Sequence, residues 1–285
     1  MRCATLLAAL AALSASVAAQ GSVEEHIALG DSARAALHSE QALRHYQAAL
    51  DLIQRAVGTQ PAGVSSPDPR SAEALWKAAR EIADVAKQLV GDSFKQRRDS
   101  LYALGRSWAE AAIRTDPSDA NGHFTLALVL GRLSRTRGGK DRVRFAKIIY
   151  DEARLAIRLD PRHDGAYHIL GAWNAEVKRV SGLTRFFAKR LFGAGFLDRA
   201  SWDSAVVSME RAVALNPRYI YHRLELAGVY MDLDQDAKAS AQLQTIAGLP
   251  LGDPMDPVYK RTAAAARADL RNGKPGDAKK RLHKS

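Results

Sequence analysis

The chain has 285 residues, of which 47% are apolar and 26% charged, with a formal net charge of +11. That balance excludes a disordered or fibrous chain and fits one or two globular domains with a real core. The single cysteine, Cys3, leaves the remainder without a disulfide, a Cys-ligated metal site or a cysteine nucleophile.

The chain opens on MRCATLLAALAALSASVAAQ, with one Arg, an apolar run from Cys3 to Leu13, and Val17-Ala18-Ala19. Small residues at the −1 and −3 positions mark a signal-peptidase site, so residues 1–19 are expected to be a secretory signal cleaved before Gln20. An uncleaved N-terminal anchor is the alternative. The expected location is periplasmic or extracellular. No later stretch approaches the roughly eighteen apolar residues of a spanning helix, so no transmembrane segment is expected in the mature chain.

Residues 20–58 read as an N-terminal helical hairpin. Within HIALGDSARAALHSEQALRHYQAALDL, Leu29-Gly30, Ala42, Tyr46 and Ala49 stand at repeat spacing. TQPAGVSSPDPRS follows, rich in Pro and Ser, and 59–70 is read as a linker. From 71 to 272 the pattern is helical throughout, and no run of alternating β-branched residues predicts a sheet.

One phrase recurs in this region: AIRTDPSDANGHFTLA at 112–127, AIRLDPRHDGAYHILG at 156–171 and, less faithfully, AVALNPRYIYHRLELA at 212–227. Pro117, Pro161 and Pro217 each close a helix, because Pro cannot continue it; they stand 44 and 56 residues apart. Ala112, Ala156 and Ala212 lie five residues upstream of them. Gly171 sits inside a helix, where it costs about 1 kcal/mol relative to Ala; a neighbouring helix at close range explains it. Ala127 and Ala227 take the same place in their units. Asp164 is expected to cap the helix that follows.

Tyr167, Leu170, Gly171, Ala205, Ala212 and Pro217 fit the tetratricopeptide pattern. The expected fold is all-α, a right-handed superhelix of about five tetratricopeptide-type hairpins plus a C-terminal helix, PVYKRTAAAARADL, stopped at Asn272-Gly273. Residues 273–285 read as a basic tail. The first helices of the hairpins line a concave groove, and their phase places Phe124, Arg132, His168, Tyr221 and Leu224 near it or as filler between turns.

The fourth unit carries an insertion at about 178–201, KRVSGLTRFFAKRLFGAGFLDRAS. It reads as an amphipathic helix, with Leu183, Phe186, Phe187 and Leu191 on one side and Arg185, Lys189 and Arg190 on the other. Either it forms a lip or membrane-surface contact, or its aromatics pack into the superhelix. A second basic run, 131–147, has seven basic residues against Asp141; it reads as a solvated face or a contact for anionic surfaces.

HILGAWNAEVKRVSGLTRFFAKRLFG, then AVALNP, LAGVYMDLDQDAKA and GLP, resemble the tetratricopeptide domain of the regulator of microtubule dynamics family, over roughly 70 to 272 and with the insertion in the same unit. The resemblance implies a helical superhelix that binds partners; in the family's mitochondrial tether, the domain is associated with phospholipid binding and transfer. The chain departs from the family in its expected leader and in the arginine-rich 131–147 stretch. An expected secreted chain does not meet microtubules, so that part of the family's description is not carried over.

Sites for chemistry are not expected. GRLSRTRGGKD lacks the phosphate-loop spacing. His163 and His168 fall on different helix faces, which argues against a metal pair. Asp232, Asp234 and Asp236 lack the Gly and Glu of a calcium loop. No Ser lies in a nucleophile elbow, and no signature of nucleic-acid binding is present. Neither catalytic residues nor a cofactor are therefore expected. The expected function is a non-enzymatic scaffold of the cell envelope holding a peptide or protein in its groove; a phospholipid-binding or lipid-transfer module is the alternative. A polar, Arg-studded groove favours peptide, and a continuous apolar groove favours lipid.

Overall fold

The computed structural model describes residues 21–58 and 69–283. The expected leader over 1–19, its cleavage point at Gln20 and most of the 59–70 linker lie outside the described residues. Within them the chain is all-α, with thirteen helices and no strand. They are α1 (Val23–Ala35), α2 (Ser39–Gly58), α3 (Pro69–Gln88), α4 (Lys95–Thr115), α5 (Ala120–Ser134), α6 (Gly139–Leu159), α7 (Asp164–Arg179), α8 (Gly182–Phe192), α9 (Trp202–Leu215), α10 (Ile220–Asp232), α11 (Asp236–Gly248), α12 (Asp256–Arg271) and α13 (Pro275–Leu282).

The helices form hairpins that stack in sequence order: α1/α2, α3/α4, α5/α6, α7/α9, α10/α11 and α12/α13, each second helix packing on the first helix of the next pair. Small residues make this close approach possible. A Cβ on Gly171 would stand 2.7 Å from Met209 Cγ and 3.2 Å from the Ala205 carbonyl oxygen of α9. Ala127, Ala156, Ala212 and Ala227 are buried completely, at the positions the repeated phrase marks. Gly30 holds the same place in α1, directly under the Tyr46 ring.

Two apolar cores run through the stack. One joins α3 to α7 and takes in Leu197 from the insertion. The other joins α7 to α13 through Met209, Leu224, Leu226, Met231, Leu243 and Ile246. Each such side chain contributes roughly 1.5–3 kcal/mol when fully buried. Helix α3 is built differently. Ala72, Ala74, Ala78, Ala79, Ala83 and Ala86 are buried, and so are Lys77, Glu81 and Asp84. Its alanines let α2, α4 and α5 close around it, and charged groups are carried inward with them.

Three expectations are corrected. Pro69 and Arg70, assigned to the linker, already belong to α3; proline fits a first turn because the missing N–H is unpaired there anyway. The cap of α7 is His163, whose Nδ1 accepts from the Ala166 amide at 3.2 Å, because the Asp164 carboxylate is engaged elsewhere. The basic tail is helical over 275–282 and completes a sixth hairpin. Gly273 turns the chain with φ +69°, and Ala278 and Leu282 are buried while Lys280 and Arg281 between them are exposed. Charge concealed this helix, since only two of its residues are apolar anchors.

Candidate functional site

The first helices of successive hairpins meet along one side of the stack, its inner face. At the N-terminal end of this face Asp84 of α3 lies between two guanidiniums: Arg34 Nη1 donates to Oδ2 at 3.1 Å and Arg132 Nη2 to Oδ1 at 3.0 Å. Arg34 also donates to Glu81. Burial alone would raise the Asp84 pKa, but Arg132, Arg34 and Lys87 override it and hold the carboxyl well below the usual range. Burial dominates at Glu81 and pushes its carboxyl up. Arg132 Nη1 and Arg80 Nε are buried and have no hydrogen-bond acceptor among the described residues.

Farther along, Lys87 at the end of α3 reaches the loop before α12. Its Nζ is 3.4 Å from both Asp253 carboxylate oxygens and lies 5.3 and 5.0 Å from the ring centroids of Tyr221 and Tyr259. Tyr219 donates to the same Asp253 at 3.1 Å. The second hairpin thus touches the sixth, and the inner face curves back on itself. Burial, reinforced by Arg132, lowers the Lys87 pKa.

The middle of the face is aromatic and imidazole-rich. Tyr221 stacks on Tyr259 with centroids 4.7 Å apart and stands 5.0 Å from the His168 ring. His168 Nδ1 is 3.0 Å from His222 Nδ1, and His222 Nε2 is 3.0 Å from Asp164 Oδ2, which also accepts from Asn216 at 2.9 Å. Burial and the neighbouring His222 push the His168 pKa well down, so this ring is neutral. With the proton of His222 on Nε2, that ring donates to Asp164 and accepts from His168 at Nδ1, which satisfies the whole chain. The chain fixes the orientation of His168.

The C-terminal end is acidic. Glu225 and Arg135 both lie near Tyr221, whose phenol pKa burial pushes up. Burial raises the Glu225 pKa against the pull of Arg179 and Arg135. Asp232 accepts from Arg179 Nε at 2.8 Å; it is the first of the three aspartates that resembled part of a calcium loop. Among the described residues no group of His, Cys, Asp or Glu is arranged to hold a metal ion.

Of the five groove candidates, Arg132, His168 and Tyr221 come together on this face. Phe124 instead stacks on the capping His163 with centroids 4.5 Å apart, and Leu224 is 1% exposed inside the C-terminal core. Asp84, Lys87, Glu225 and Asp253 were missed. Their partners lie about one repeat away or, for Lys87 and Asp253, 166 residues away, so no local spacing announces them.

The insertion behaves differently. On α8, Phe186 is 57% and Leu191 67% exposed. Arg185 reaches back to the Val177 carbonyl at 3.5 Å, and Arg190 is exposed. The side chains of Leu183, Phe187 and Lys189 lie outside the described set. Among the described side chains of the insertion, Ala188 of α8 packs partly against the N-terminal core, and after α8 the Phe196 ring stacks 6.4 Å from Trp173 and Leu197 is buried.

The basic 131–147 run is divided by its helix phase. Arg132 and Arg135 turn to the inner face, while Arg137 and Arg144 border clefts of about 560 and 400 Å³ along α4. The cations of those clefts are neutralised locally, Arg144 by Asp141 at 3.1 Å, Arg106 by Glu110 at 2.7 Å and Lys95 by Asp99 at 3.2 Å. No helix among the described residues is long and apolar enough to cross a membrane.

The family described as Regulator of microtubule dynamics protein 1-3 matches residues 41–271. Among similar curated proteins, regulator of microtubule dynamics protein 3 of Xenopus laevis is 29% identical over 179 residues, 62% of this chain and 38% of that protein. Regulator of microtubule dynamics protein 1 of Bos taurus is 27% identical over 198 residues, 69% of this chain and 61% of that one. The chain therefore spans less than two thirds of either relative. Among solved structures, a thermophilic tetratricopeptide-repeat protein of Thermus thermophilus superposes with a TM-score of 0.52 at 20% identity, covering 86% of this chain and 100% of that one. The likeness is one of fold: an all-α superhelical repeat.

Proposed function

The chain belongs to the regulator of microtubule dynamics family, and from that premise we propose that it is a non-enzymatic scaffold whose inner face holds a peptide or protein segment. The observation that carries this reading is the chemistry of the face. Arg132, His168 and Tyr221 stand there beside Arg34, Asp84 and Lys87. An acyl chain laid along them would meet paired charges where a lipid site offers apolar walls. A peptide segment supplies acceptors for the partly exposed Arg34 guanidinium and side chains that meet the partly exposed Tyr221 ring.

A second reading, a phospholipid-handling module, is favoured by one observation, the exposed Phe186 and Leu191 on basic α8. Native mass spectrometry of the purified chain after incubation with phosphatidylethanolamine–phosphatidylglycerol liposomes separates the two. The peptide reading expects protein free of phospholipid; a stoichiometric phospholipid adduct overturns it. The expected leader over 1–19 places the scaffold in the cell envelope, periplasmic or extracellular. N-terminal sequencing of the mature protein tests this, with Gln20 expected as the first residue and an intact Met1 end as the contrary result.

A further inference from the structure

Helix α10 contributes four residues to the inner face at helical spacing: Tyr221, Glu225, Gly228 and Asp232. The last two are covered by the end of the chain itself. A Cβ on Gly228 would lie 3.8 Å from Leu282 Cβ of α13 and 3.7 Å from Arg179 Nη2 of α7, both ordinary contacts, so the bare backbone leaves a shallow notch that Leu282 faces without filling it. Asp232, four residues on, accepts from Lys279 at 3.2 Å and from His283 at 3.1 Å, and from Arg179 on the same carboxylate. Helix α13 thus sits on the face as a short basic segment with one large apolar anchor.

The hold on α13 is small. It has eight residues and buries only Ala278 and Leu282, whereas α12 buries Tyr259, Ala263 and Ala266 along its length. An isolated helix of that size is not stable in water, so its order comes from packing on α12, to which Arg281 is tied through Asp269, and from the contacts of Leu282 and Asp232 on α10. Segments with few buried apolar contacts open without global unfolding. Its Lys279, Lys280 and Arg281 side chains are 37, 76 and 51% exposed. Lys279 meets Asp232 of the face, whereas Lys280 pairs with Asp277 of its own helix and Arg281 with Asp269 of α12.

We propose that α13 is a displaceable occupant of the inner face, and that the partner segment is a short basic helix placing a leucine-sized side chain in the Gly228 notch and cations on Asp232. This rests on the peptide-scaffold reading and specifies its partner. The chain's own end then acts as an internal competitor, setting a threshold that a partner must exceed.

The test uses the full chain and a fluorescein-labelled peptide, GKPGDAKKRLHKS, identical to residues 273–285. The wild-type chain binds it weakly, because the tethered copy competes at an effective concentration on the order of millimolar. A full chain carrying Lys279→Glu and Leu282→Asp loses the internal competitor and binds the peptide at least about tenfold tighter by anisotropy. A peptide with the same two changes does not bind it. A folded double variant that binds no tighter than wild type overturns the proposal.

Hydrogen exchange on the unaltered chain is the second measurement, independent of how the variant folds. Amides at 278–282 are expected to exchange at least about tenfold faster than those at 263–266; equal protection makes α13 a fixed part of the core and overturns the proposal. Either failure leaves the peptide-scaffold reading standing, since that is decided by the liposome experiment.

Discussion

On the inner face, Asp84 receives Arg34 at 3.1 Å and Arg132 at 3.0 Å, and little of it meets water. On α8, Phe186 and Leu191 stand 57 and 67% exposed. Polar groups are buried in the first place and apolar groups exposed in the second, so each region inverts the ordinary arrangement. The inner face makes its inversion stable by pairing charges across hairpins. At α8 the inversion is local to these two side chains, and among the described residues Ala188, Phe196 and Leu197 pack the insertion against the stack. The difference teaches where change is tolerated: the face is part of how the stack holds together, whereas α8 is an addition to it.

The largest effect is expected at the pairing itself. Asp84→Ala leaves two guanidiniums without their carboxylate in a buried site, and breaking such a pair costs about 3–5 kcal/mol. Urea unfolding of the variant checks this; a loss below about 1 kcal/mol would mean that the face contributes little to the fold. Next comes closure between the second and sixth hairpins. A double-mutant cycle of Lys87→Ala and Asp253→Ala is expected to show a coupling of roughly 0.5–3 kcal/mol. Additive single losses would show that the two hairpins do not hold each other.

A buried histidine within one hairpin sharpens the contrast. His123 of α5 pairs with Glu152 of α6, and that hydrogen bond raises the imidazole pKa above 6.5 against its desolvation. The folded state therefore holds the proton more tightly than the unfolded state. Its stabilisation is complete below about pH 6.5 and is lost as pH rises through the folded-state pKa. The His123→Gln chain should lose the part of the stability decline that wild type shows as pH rises above about 6.5; an unchanged pH slope contradicts the pairing. The smallest effect belongs to α8, where Phe186→Ser with Leu191→Ser is expected to shift stability by no more than about 0.5 kcal/mol per site. A loss of several kcal/mol would make α8 part of the core.

The hairpins were legible because their cause is local. Gly171 and Ala212 recur in phase since two helices can approach only where side chains are small, and Pro217 ends a helix from within its own segment. The inner face was legible only in part. Helix phase alone brought out Arg132, His168 and Tyr221, but the same phase also pointed to Leu224, which the C-terminal core takes. The carboxylates that hold the face lie a repeat away: Arg132 and Asp84 are 48 residues apart and Arg179 and Asp232 are 53 apart. Those separations come close to the proline intervals, a signal available to a search for opposite charges at repeat distance. Helix α13 escaped because its two buried side chains, Ala278 and Leu282, pack on α12 and α10, which nothing within 273–285 reveals.

The central claim is that the inner face, and not α8, receives the partner, and that the partner is protein. Photo-crosslinking measures this most directly, with a benzophenone amino acid placed at 168, 221 or 186 in otherwise unaltered chains expressed in the native cell. Protein adducts are predicted from 168 and 221, and none above background from 186. Adducts from 186 alone, or phospholipid adducts from 168 and 221, would contradict the claim.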